Sequence, residues 1–226
     1  MTESFKDKEA VQQCPNIVLF GPPGAGKGEQ GCRLAEEYGY VILGTGDLFR
    51  KNLENKTPLG IEAKGYMDKG ELVPDELVIL MVEEHLETIP EGAPLIFDGF
   101  PRTENQRKLF NEFMEKRGEE FEVVALTAYS AEEVDKLIGR LLGRGKTSGR
   151  SDDQNENTIL TRISNYEKQT GPLLNNWEQE GQYVHKHSAI GKIEDIQEWI
   201  QGIVKEYSKR VEDVLSEDTA KEETKS

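Results

Sequence analysis

Apolar positions recur along the chain in two alternating rhythms. Short, nearly unbroken apolar runs lie at 16–20 (NIVLF), 40–43 (YVIL), 94–98 (PLIFD), 122–126 (EVVAL) and 182–187 (QYVHKH), and predict five strands. Longer stretches between them space apolar residues three and four apart. The segment 28–39 stops at a glycine, and 74–89 opens on a proline suited to a first helical turn. Strands separated by helices imply a parallel sheet covered on both faces. The expected fold is α/β, a three-layer α/β/α sandwich around a five-stranded parallel sheet, and 226 residues allow one such domain with an insertion or two.

Two regions break the rhythm. Residues 45–73 are helical in pattern and hold no strand, and residues 143–157, rich in glycine, serine and charge, read as a mobile loop. Both are candidates for small moving parts over a site. The tail 207–226 has few apolar residues and many charges, so it is expected to begin as helix and then fray. The N-terminal extension, 1–14, has neither an apolar signal core nor an Arg-rich transit pattern.

Charge and composition narrow the function. A net charge of −15 argues against nucleic-acid backbones and anionic membranes as partners. It leaves room for small anions wherever arginines cluster. No run approaches the ~20 apolar residues a membrane helix needs, so a cytoplasmic protein is expected. Cys14 and Cys32 are too few for a disulfide framework or a zinc site and are expected to be reduced, structural thiols. His185 and His187 alternate on the fifth strand; two ligands are too few for a metal, and a partly exposed strand face is the expectation.

The chemistry begins at 21–28, GPPGAGKG, which matches G-x-x-x-x-G-K between a predicted strand and a predicted helix. Gly24, Ala25, Gly26, Lys27 and Gly28 form a phosphate cradle in this pattern: glycines let successive N–H groups point at one anion, the helix N-terminus adds its positive end, and Lys27 supplies a point charge. The pattern resembles the loop of the P-loop NTPases, and a fold of that type is expected. Two residues are unusual. Gly28 stands where a Mg²⁺-binding Ser or Thr is common, and Glu29 puts a carboxylate next to the cradle.

The stretches GPPGAGKG, GTGDLFR, KGELVPDELV, DGFPRTENQ, RLLGRGKTSGRSDD and TRISNYEKQTGP occur in the order found in adenylate kinases, and the chain resembles that family from about residue 16 to 203. The resemblance implies a core over 15–206, an AMP-binding insertion at 44–73 and a short lid at 143–157 without the zinc-binding insertion of some relatives. It implies reversible phosphoryl transfer from MgATP to AMP, giving ADP, by a monomer. Glycine after the lysine is the family norm, with Mg²⁺ held through waters and phosphates, and Asp98 is the implied partner of those waters. The cradle from Gly24 to Glu29, with Arg140 and Gly191, is assigned to ATP.

Thr45, Arg50, Glu71, Leu72, Val73, Gly99, Phe100, Pro101, Arg102, Gln106, Arg150 and Arg162 are assigned to AMP. By itself Thr45 also reads as a helix cap. Lys27, Arg102, Arg144, Arg150 and Arg162 are the implied catalytic set. Thr45 and Gln106 together favour AMP, since relatives that take UMP or CMP usually carry alanine and asparagine there. Arg140 and Arg144 share a helix face, and no matching acidic ladder is read beside them.

Three departures from the family stand out. Glu29 replaces Thr or Ser. The spacing from Arg150 to Arg162 is one residue longer, which is expected to be absorbed before Thr158. Gly44 replaces a serine, a change expected to be mild. Two alternatives stay open: a kinase of another nucleoside monophosphate such as UMP or CMP, and a nucleotide-binding protein whose catalysis Glu29 has weakened.

Overall fold

The computed structural model describes residues 14–90 and 92–223, with side chains described as far as 216. The N-terminal extension thus falls, except for Cys14, outside the described residues. Five parallel strands form one sheet: β1 (Asn16–Phe20), β2 (Val41–Gly44), β3 (Leu95–Asp98), β4 (Phe121–Thr127) and β5 (Val184–Ser188), in the order β2-β3-β1-β4-β5. Each expected strand is present to within two residues at either end. β1 is central and wholly buried. Its side chains alternate as strand geometry requires. Val18 and Phe20 join the aromatic core of Phe97, Phe110, Phe121 and Trp177, while Ile17 and Leu19 join Leu34, Leu126, Ile196 and Ile200 on the other face.

The helices are α1 (Lys27–Tyr38), α2 (Thr45–Glu54), α3 (Pro58–Met67), α4 (Asp75–Leu86), α5 (Glu104–Arg117), α6 (Ala131–Ser148), α7 (Glu156–Asn165), α8 (Leu173–Gln179) and α9 (Ile193–Glu223). Local signals start them: the hydroxyls of Thr57, Thr103 and Ser130 cap α3, α5 and α6. The strandless region 45–73 is the pair α2 and α3. No helix among the described residues is long and apolar enough to cross a membrane.

Two expectations need correction. The region 143–157 is not one loop, because α6 runs on to Ser148 and only a short 3₁₀ turn, Ser151–Asp153, and its flanks separate it from α7. Gly145 is there for packing: a Cβ would lie 2.3 Å from the Asp153 carbonyl oxygen. The tail begins as helix, as expected, but among the described residues it does not then fray: α9 extends for 31 residues to Glu223. Its last part has no glycine beyond Gly202 and no proline, is rich in Glu and Lys, and is tied down at Arg210 by the buried carboxylate of Glu122.

Candidate active site

The C-terminal ends of β1, β2 and β3 open into a cavity of about 780 Å³. Such a crevice is where open parallel sheets bind ligands. β1 feeds the 21–26 loop into α1, whose first turn carries Lys27. The Lys27 ammonium donates to the carbonyls of Gly21 (2.8 Å) and Pro22 (3.2 Å). Burial pushes its pKa down to about 8, against the pull of Asp98 and with the help of Arg102, Arg162 and Arg144. A lysine that has lost its water and has no carboxylate in contact is prepared for an anion.

Nearly all the sequence-predicted residues come together here. Gly24, Ala25, Gly26, Lys27, Gly28, Glu29, Arg140 and Arg144 line the cavity on one side. Thr45, Arg50, Glu71, Leu72, Val73, Asp98, Gly99, Pro101, Arg102, Gln106, Arg150 and Arg162 line the rest. Two predicted residues do not. Phe100 is apolar and turns into the core, 5% exposed and edge-on to Phe110. Gly191 lies in the exposed turn before α9, outside the cavity wall. Arg140 reaches toward that turn, donating to the Ala189 carbonyl at 2.8 Å.

Glu29 faces outward. Its Oε1 takes a hydrogen bond from Arg33 Nε at 2.8 Å, one helical turn along α1, and the pair is open to solvent. Gly44 precedes α2 and supplies no side-chain cap. Thr45 is the first residue of α2 rather than its cap. Its hydroxyl donates to the Gly99 carbonyl at 2.8 Å.

Arg102 is held at three points. Its Nε donates to Gly99 O (2.7 Å), its N–H to Gln106 Oε1 (2.8 Å), and its carbonyl accepts from Thr170 Oγ1 (2.8 Å). Burial, then the neighbouring Arg162, pull its pKa below the ordinary arginine value.

Arg144 of α6 and Arg162 of α7 have acidic partners, contrary to the sequence reading. Asp153 is fully buried and accepts from Arg144 (2.5 and 3.1 Å) and Arg162 (2.6 Å). Burial alone would raise its pKa; the two guanidiniums hold it below the usual carboxylate value. Asp152 adds a 2.9 Å ion pair to Arg162. The signal was in plain sight, a pair of acids two and three residues after Arg150. α7 begins before Thr158, capped by Asn155, and Arg162 faces the cavity, so the longer spacing leaves the helix in register. Asp47 was also missed: it accepts from Arg50, and from Arg150 at 3.3 Å.

A divalent cation would fit near Asp98. A Cβ on Gly28 would stand 3.6 Å from Asp98 Oδ2, so that carboxylate looks across the cradle, and a hard oxygen donor beside a phosphate site suits Mg²⁺ bound through water. Among the described residues there is no group of three or more His, Cys, Asp or Glu that could hold a metal alone. His185 binds Glu122 Oε2 at 2.7 Å, and His187 stacks on Trp199 with centroids 4.8 Å apart. Cys32, expected to be structural, is exposed and reaches the cavity rim.

A family model described as adenylate kinase matches residues 19–182. The chain belongs to the adenylate kinase family. It is 42% identical over 189 residues to the adenylate kinase of Flavobacterium johnsoniae, covering 84% of this chain and 97% of that protein. Against the adenylate kinase of Phocaeicola vulgatus it is 44% identical over 172 residues, covering 76% and 89%. Against that of a Synechococcus species it is 42% identical over 190 residues, covering 84% and 96%. The cradle, the arginines and the carboxylate of Asp98 are therefore those of an adenylate kinase family member, gathered from five separate parts of the chain.

Proposed function

We propose that this protein transfers a phosphoryl group reversibly between MgATP and AMP, giving two molecules of ADP. The observation that carries the reading is the convergence of Lys27, Arg102, Arg144, Arg150 and Arg162 on one cavity beyond the strand ends. An acceptor that is already an anionic phosphate needs no general base. It needs alignment and neutralisation of spreading negative charge.

In this reading the cradle amides and Lys27 hold the donor's terminal phosphates, and Arg140 lies along the donor nucleoside. Arg50 and Arg102 grip the acceptor phosphate with planar, bidentate guanidiniums. Arg144, Arg150 and Arg162 meet the transferring group. Mg²⁺, when bound, would neutralise and orient the donor phosphates, with Asp98 holding its waters. α2 and α3 serve as the acceptor insertion and the 148–156 turn as the lid, closing to keep water from taking the phosphoryl group. We take it to act as a cytoplasmic monomer on free nucleotides.

The test is ADP formation from MgATP with AMP, UMP or CMP as acceptor. AMP is expected to be preferred clearly, as Thr45 and Gln106 suggest. Preference for UMP or CMP would replace the acceptor, and ATP binding without turnover would leave only a nucleotide-binding role.

A further inference from the structure

Gln106 is 2% exposed, and its side chain closes the acceptor end of the cavity. Both ends of its amide are already engaged. Nε2 donates to Asp75 Oδ1 at 2.7 Å, and Oε1 accepts from the Arg102 N–H at 2.8 Å. These partners leave the amide one orientation. A carboxylate only accepts and a backbone N–H only donates, so a flipped amide would set oxygen against oxygen and N–H against N–H. The Arg102 N–H is the weaker half of the lock, because any backbone can shift. The charge sits at Asp75.

Asp75 is itself held. Its Oδ2 accepts from Thr103 Oγ1 at 2.8 Å and from Asn105 Nδ2 at 3.2 Å. The Thr103 hydroxyl has its proton free for this bond, because its lone pair takes the Gln106 backbone N–H at 3.2 Å in capping α5. Asp75 therefore stands at the start of α4 and reads the first turn of α5, fixing Gln106 through the charge on one oxygen and the cap of its helix through the other.

We propose that Asp75 is a specificity-determining positioning residue, which makes the site select a 6-amino purine monophosphate over a 6-oxo one by locking the Gln106 amide. The inference rests on the reading that Gln106 faces the acceptor base. A primary amide offers two N–H donors and two lone pairs. With one of each engaged, one N–H and one lone pair remain, in an order that cannot reverse. The edge of adenine presents an acceptor at N1 beside a donor at N6, and one amide orientation pairs with both. Hypoxanthine and guanine present the inverse, a donor at N1 beside an acceptor at O6. A free amide would turn over and accept them. The locked one meets donor with donor and acceptor with acceptor, and a buried mismatch of this kind discriminates far better than a missing contact.

The experiment compares initial rates with AMP and with IMP, each with MgATP, for the full chain and its Asp75→Asn and Asp75→Glu variants. Asparagine can offer either an oxygen or an NH₂ to Gln106, so it unlocks the amide while filling the same space. The expected result for Asp75→Asn is a fall of ~10-fold or more in the ratio of kcat/KM for AMP over IMP. KM for AMP should rise more than kcat falls, KM for ATP should hold, and Asp75→Glu should recover most of the ratio.

A merely structural Asp75 would lower both acceptors together and leave the ratio alone, which overturns the inference and spares the proposed function. A parent that does not use AMP overturns both. Should the variants not fold, the parent still decides. Its Gln106 side-chain amide should show, by NMR without nucleotide, a proton protected from solvent exchange, and a freely exchanging amide overturns the lock.

Discussion

Glu29 shows how little a local motif says about where a side chain points. Placed ~4 Å from a phosphate at an effective dielectric of ~20, its carboxylate would oppose the anion by ~4 kcal/mol. Paired with Arg33 on the open face of α1, it costs little. Glu29→Thr is therefore expected to change kcat/KM for MgATP by less than ~3-fold. A gain of two orders of magnitude, measured by steady-state rates, would put the carboxylate back against the phosphates.

Lys27 gives the second prediction at this scale. Burial holds its pKa at about 8 in the nucleotide-free protein. Phosphates bind the protonated form and so raise that value on binding. ATP affinity should accordingly be level below the free pKa and fall as the pH rises through it, until the higher pKa of the complex is reached. Calorimetric titrations from about pH 6 to about pH 10 would check this, and an affinity that climbs with pH would contradict it. The cradle itself was legible from sequence, because its spacing is local and its physics belongs to the backbone.

At the scale of the element, α9 is the clearest case of tertiary structure overriding composition. Its charged distal half reads as a fraying tail, yet it is bolted to the sheet. Arg210 pairs with Glu122, whose side chain is 2% exposed on β4, and lies 4.3 Å over the ring of Tyr183. Arg210→Ala would leave that buried carboxylate with only the His185 hydrogen bond among these contacts. A loss of about 2–3 kcal/mol in urea unfolding is expected, largely recovered when Glu122→Gln is added. Equal losses in the single and double variants would show that Arg210 acts through packing alone. The continuation of α6 through 143–148 has a similar cause: Gly145, which signals a loop in isolation, is a helix position against which the Asp153 backbone packs. In each case a contact from far along the chain chose between conformations that local propensity left close in energy.

Across the whole molecule, the parts that flank the cavity also hold each other. Arg150 reaches Asp47 at 3.3 Å, Ser151 Oγ donates to Asp68 at 2.9 Å, Thr158 Oγ1 donates to the Asp68 carbonyl at 3.3 Å, and Asn165 donates to the Gly70 carbonyl at 3.0 Å. The Arg150–Asp47 pair is exposed, so salt screens it. High ionic strength combined with Asp68→Ala should open the nucleotide-free protein, seen as a rise on the order of 1 Å in the radius of gyration by X-ray scattering. Scattering identical to the parent's would mean these contacts do not hold the flanks of the cavity together. Sequence alone determined the five strands, the phosphate cradle and the arginine inventory, because strand alternation, helical spacing and glycine-rich turns act within about ten residues. Tertiary structure alone decided the strand order, the inward turn of Phe100, the acidic anchors of Arg144 and Arg162, and the lock of Asp75 on Gln106 from 31 residues away. Those outcomes depend on which surfaces the packed layers bring into contact, and no periodicity along the chain encodes the direction of a side chain across such a distance.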